Sequence, residues 1–237
     1  MARVHGADAR VYLGERDASA DISNVSLDFT AETHDATTLN SANAVESDPG
    51  LLGWEASIDA FYDPAVGGIA RQLENIGGTI AATTVVDGDA NAIGDSAVVL
   101  PSSVLTKVSA PKSVADLMKL AATLKGNGKA GLFGKLLHVI GQETITGSSA
   151  SVNNSASSAN GGRGNVHVTA VTGSWTMKVQ HSANDSAWAD LITFTQATAG
   201  GGATSESKEV ASTVNQYLRT DFTEDVAGSV TFTMAFA

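Results

Sequence analysis

Alternation with a period of two constrains this chain more than any other feature of its sequence. In Ile22-Ser-Asn-Val-Ser-Leu-Asp-Phe29, Val25, Leu27 and Phe29 fall on one face, with Ser26 and Asp28 opposite. Trp54 to Tyr62 repeats the pattern: Trp54, Ala56, Ile58, Ala60 and Tyr62 on one side, Glu55, Ser57 and Asp59 on the other. Side chains of a strand point alternately to opposite faces, so each run is a strand with one buried side. Beyond residue 165 the same period dominates. Val166, Val168 and Ala170 share a face, as do Trp175, Met177 and Val179, and Val230, Phe232, Met234 and Phe236 close the chain. The stretch TMKVQHSANDSAWADLITFT, at 176–195, reads as a hairpin turning at Ser-Ala-Asn-Asp-Ser. An all-β fold follows, with residues 165–237 forming a β-sandwich half in which Trp175, Met177, Val179, Phe232, Met234 and Phe236 share one core.

Five further segments need a reading of their own. Residues 31–52, AETHDATTLNSANAVESDPGLL, form a long polar and strand-tolerant loop between the first two strands. Residues 64–76 start with Pro64, space Ile69, Leu73 and Ile76 as a helix does, and stop at Gly77-Gly78, which predicts one short helix. Thr79–Val86 reads as a single strand before the Asp87-Gly88 turn. Residues 114–125 fit both a helical face and an unbroken alternation, so the residues alone leave helix and strand open. Residues 147–164, rich in Ser, Asn and Gly, read as a linker or loop. The expected organisation is a β domain over 1–146, that connection, and the sandwich half over 165–237.

Little in the chain can perform chemistry. There is no cysteine, which removes disulfides and thiolate metal sites. The five histidines, His5, His34, His138, His167 and His181, form no paired-ligand spacing. Adjacent His34 and Asp35 would face opposite ways in a strand and cannot orient one another. Gly126-Asn-Gly-Lys-Ala-Gly131 matches GxGxxG literally, but another glycine at 134 interrupts any following helix, so a turn is expected. Trp175, Trp188 and Tyr217 could build a sugar platform; Trp175 has core partners on its face, which leaves Trp188 as the open ligand-contact position. The net charge is −11, from 25 acids against 14 bases, and such a surface repels phosphate. No apolar run is long enough for a membrane span, and the N-terminus lacks a signal core, so the chain is expected to be made and kept in a cytoplasm.

Three stretches carry a family likeness: RVYLGERDASADISNVSLDFTAETHDATTL, WEASIDAFYDP, and GDSAVVLPSSVLTKVSAPKSVADLMKLAATLKGNG. With VQHSANDSAWADLITF, VNQYLRT and GSVTFTMAFA, the chain resembles the major tail tube proteins of long-tailed bacteriophages. The resemblance tips residues 114–125 towards strand, following Ser109-Ala110-Pro111. It implies a tail-tube-type β-sandwich or barrel, in which rings of subunits, typically hexameric, stack into a hollow tube. Their sheets join edge to edge as an inner β-barrel, which leaves no edge open to aggregation. It further implies a virion tail assembled in the host cytoplasm, a tape-measure protein in the lumen, tail tip or terminator proteins at the ends, and DNA passing without specific binding. Asp28, Glu55 and Asp59, opposite the apolar set, are expected to face the lumen. His34, Asp35, Thr37, Thr38, Leu39 and Asn40 are expected to contact a neighbouring subunit. The competing readings are a carbohydrate-binding or adhesion module of β-sandwich type, and another virion protein such as a capsid decoration protein.

Overall fold

The computed structural model describes residues 9–37, 47–63, 69–73, 76–88, 91–110 and 117–237. A hairpin of β1 (Arg10–Leu13) and β2 (Arg16–Asp17) turns at Gly14, whose φ of 57° suits glycine. Two long strands follow, β3 (Ile22–Asp35) and β4 (Ser47–Phe61). After the one-turn helix α1 (Ile69–Gln72) come β5 (Thr79–Ile80), β6 (Thr83–Asp87), β7 (Ser96–Leu100), β8 (Ser103–Ser109), β9 (Lys119–Gly126) and β10 (Leu132–Glu143). The rest is β11 (Gly147–Ser148), β12 (Val152–Asn153), β13 (Gly162–Val171), β14 (Ser174–Ser182) and β15 (Ala189–Thr193), then β16 (Ala197–Thr198), β17 (Thr204–Val210), β18 (Tyr217–Val226) and β19 (Val230–Phe236).

These strands make three sheets. One runs β17-β13-β19-β10-β7-β6-β1-β2; a second, β3-β4-β9-β8-β5; a third is built around β18 and β14. The eight-stranded sheet curls. β13 and β6 are far apart in its order, yet His167 of β13 bonds Thr84 of β6 at 2.8 Å and the Gly14 carbonyl at 2.6 Å. Tyr12, Val86, Ala97, Val99, Leu136 and Ala235 fill the inside of the curl. Its outside is shared. The β1, β6 and β7 end packs on the five-stranded sheet through Leu13, Val85, Val98 and Leu100, and the β13 and β19 end packs on the third sheet. Trp175, Met177, Val179, Phe232, Met234 and Phe236 do share that second core. Because β10, β19 and β13 hydrogen-bond side by side, one continuous sheet joins strands from before residue 146 to strands after 165.

The structure corrects the local expectations at four places. Residues 31–35 and 47–52 continue β3 and β4 as a two-stranded ribbon, with His34 opposite Asp48 and Asp35 opposite Ser47, where a loop was expected. Their threonine and alanine content permits pairing even though little is buried. Residues 79–86 are two strands in different sheets, β5 and β6, separated by a bend at Ala81. The predicted helix survives as one turn with Ile69 and Leu73 buried, and residues 64–68 and 74–75 lie outside the described residues. Residues 147–153 run along β18 through β11 and β12, Ser158 bridges Val214 ahead of β18, and Val152 is buried. Residues 119–126 are strand, with Leu120, Ala122 and Leu124 buried, so the alternation prevails over helix propensity.

Candidate assembly surface

The five-stranded sheet has two unlike faces. Trp54, Ala56, Ile58 and Ala60 of β4, with Leu120, Ala122 and Leu124 of β9, are buried against the curled sheet. Trp54 anchors the turn after β9, donating its indole N–H to the Lys129 carbonyl at 3.1 Å. Packing this tight needs Gly126, where a Cβ would fall 2.4 Å from the Trp54 ring. The GxGxxG stretch is therefore the β9–β10 turn, with Gly128 at φ 76°, and its Lys129 pairs with Glu209 at 2.7 Å.

The other face is open and charged. Asp28 lies directly across from Glu55, and Glu55 from Lys125, which it bridges at 3.2 Å. Asp59 lies across from Asn24, whose amide reaches its carboxylate at 3.3 Å. The three acids singled out from sequence thus share one face, as their alternation required. The acids Asp28, Glu32, Glu55 and Asp59 stand on β3 and β4; the bases Lys119, Lys125 and Lys107 stand on β9 and β8. Sequence reading passed over Lys107. A bulge between Leu105 and Lys107 inserts Thr106, so Leu105 and Val108 both turn to the core while Lys107 falls opposite Thr123 on the open face. Alternation without the bulge would have placed Lys107 inwards.

Among the described residues, one side of this sheet is an unpaired strand and the other is paired only in part. Among the described residues, β3 bonds only to β4 along its whole length. At the other edge β5 covers only Ser103 and Val104, and the Gly77 N–H and Gly78 carbonyl bond Leu105, so that among the described residues no strand lies beside 107–109 on the side away from β9. The ribbon extends past the sheet, since β9 stops pairing with β4 at Glu55. On it Leu51 is 77% exposed and Leu52 65%. His34 and Asp35 stand at the described end of the ribbon, and Thr37 donates its amide to the Asp35 carboxylate at 2.9 Å. Hydrogen bonds from Thr37 hold the Asp35 carboxyl below its ordinary range. Thr38, Leu39 and Asn40 lie outside the described residues.

Elsewhere the polar groups are structural. His167 is wholly buried; Nδ1–H donates to the Gly14 carbonyl, so Nε2 accepts from the Thr84 hydroxyl. Burial pushes its pKa down to about 4, which keeps it neutral. Asn165 beside it donates to the Thr83 and Leu100 carbonyls, both at 2.9 Å. His138 stacks on Phe232 at 4.0 Å, with burial lowering its pKa against the opposing pull of Glu143. Trp188 is covered by the Arg219 guanidinium at 4.3 Å, which Gln180 holds in turn, so one face of the ring is already occupied. No group of three or more potential metal ligands occurs among the described residues.

No protein-family model and no curated protein matches the chain. Solved structures to which it is similar include the virion of a native gene transfer agent particle, at 20% identity and a TM-score of 0.45 over 55% of this chain and 98% of the other. The sheath–tube complex of an extracellular contractile injection system is similar at 12% identity and a TM-score of 0.45, covering 56% of this chain and 92% of its own. The tail tube of SPP1 is similar at 11% identity and a TM-score of 0.41, with 54% and 78% covered.

Proposed function

We propose that this chain is a structural subunit of a long-tailed bacteriophage tail tube, polymerising as stacked hexameric rings that form the conduit for DNA ejection. One observation carries the reading beside the sequence resemblance: the five-stranded sheet has one face packed, one face polar and, among the described residues, unpaired strand edge at each side, β3 throughout and β8 at residues 107–109. From β3 to β8 inclusive the sheet counts four strands, each antiparallel to the next. An even count makes the edges run in opposite directions. Copies related by rotation about an axis along the strands therefore meet β3 to β8 in antiparallel register, and their sheets join into one closed barrel. Such a barrel turns the polar face inwards.

On this reading Asp28, Glu55 and Asp59 line the lumen, interspersed with lysines, and DNA slides past a wall without a strong phosphate-binding field. The ribbon, with His34, Asp35 and the exposed Leu51 and Leu52, contacts a neighbouring subunit. The tape-measure protein fills the lumen before ejection, and tail tip and terminator proteins close the ends. The protein is a virion tail component assembled in the host cytoplasm, and it is not an enzyme. Negative-stain microscopy of the purified chain tests the proposal. Rings or hollow tubes are expected; a monodisperse monomer at every concentration would end it.

A further inference from the structure

Charge on the open face of the five-stranded sheet is sorted by strand. β3, an edge, carries Asp28 and Glu32 on this face and no lysine or arginine along its length; β8, the opposite edge, carries Lys107 as its sole charge. Asp28 sits across from another acid, Glu55, whose one cationic partner, Lys125, lies on its far side. Among the described residues Asp28, Glu32 and Lys107 form no ion pair, and all three are exposed. The bulge at Thr106 is what turns Lys107 onto the face where these acids stand.

We infer that Lys107 of one copy and the Asp28–Glu32 edge of the next form an electrostatic seam that dictates head-to-tail joining. The inference rests on the tube reading and adds a choice of partner edge to it. Two β3 edges brought together would oppose acid to acid, and two β8 edges would oppose lysine to lysine. Both arrangements are the two-fold dimers that would cap growth. Only the β3-to-β8 arrangement pairs opposite signs, and only that arrangement closes a ring. Within one subunit Lys107 lies level with Ser26, through Thr123 and Ser57. Closing a barrel tilts the strands by about 35–45°, which across four strands spaced about 4.8 Å displaces the edges by roughly 4–6 residues. In the direction that keeps the two strands in contact, this stagger carries Lys107 from the level of Ser26 past Asp28 to that of Thr30 to Glu32, on the same face.

The test uses the full chain in three forms: wild type, K107E, and the double variant D28K/E32K. Assembly is followed by sedimentation and negative stain, and folding by circular dichroism. Each variant alone presents like charges at every junction, so the concentration needed for assembly should rise at least about tenfold. An equimolar mixture restores opposite charges at every junction of an alternating ring, and should assemble near the wild-type threshold. Salt should weaken wild-type assembly and relieve the single variants. If K107E or the double variant assembles like wild type, or if the mixture stays as defective as its parts, the seam is refuted and the tube reading stands. A wild type that never assembles overturns both.

Discussion

In the C-terminal core β14 buries Trp175, Met177 and Val179 completely, whereas β3, alternating just as regularly, leaves Phe29 39% exposed and both flanks of its ribbon in solvent. Phe29 is on the packed side of its sheet, yet its ring partner is Phe133, which is itself 75% exposed. The two regions differ in what surrounds the strand. β14 has β18 on one side and β15 and β16 on the other, with the curled sheet across its apolar face; among the described residues β3 has β4 alone. Alternation states which face is apolar, and neighbours decide whether that face is dry. A strand with an apolar side, one neighbour and a bare second edge is what a subunit shows before it meets another copy.

Truncations should expose this difference most strongly. Trp175→Ala should cost about 3–5 kcal/mol in urea unfolding of unassembled protein, as for other buried aromatic deletions. Phe29→Ala should cost about 1 kcal/mol or less in the same preparation, as surface changes do. Equal losses would erase the distinction between a completed and an uncompleted region.

Acid should act on the buried side of the comparison. The folded pKa of His167 is about 4 against an ordinary 6.5, so the unfolded chain takes up its proton first. Stability is then level above about pH 6.5 and falls as pH drops towards 4, by up to about 3 kcal/mol from this residue. Burial of His138 works in the same direction. Denaturation midpoints measured between pH 7.5 and 4.5 should show this slope, and His167→Gln should flatten it from a lower starting stability.

Surface contacts should matter least. Glu55 and Lys125 are both more than a third exposed, and removing the pair should change monomer stability by about 1 kcal/mol or less. Trp188→Ala, which loses the contact with Arg219, should cost about 0.5–1 kcal/mol. A much larger loss in unassembled protein would show Trp188 to be a core residue of the third sheet.

How much of this was legible follows from the same physics. The six residues assigned to the C-terminal core sit together because alternation on β14 and β19 admits one register; a slip by one residue would expose them all. The shared face of Asp28, Glu55 and Asp59 was readable for the same reason. The ribbon was not, because its polar residues bury nothing and leave no hydrophobic period to find. Lys107 was missed because a bulge changes parity within a strand, and no local residue type announces it. Nor could alternation show that Thr79–Ile80 and Thr83–Asp87 belong to different sheets, a fact set by long-range pairing.

The central claim is that the β3 and β8 edges are completed by other copies of the chain, and amide hydrogen exchange tests it most directly. Exchange would be compared between dilute monomer and assembled protein. The account predicts new protection along residues 30–35 and 107–109 on assembly, with residues 174–182, already paired on both sides, unchanged. Assemblies in which 30–35 exchange as fast as in the monomer would contradict it.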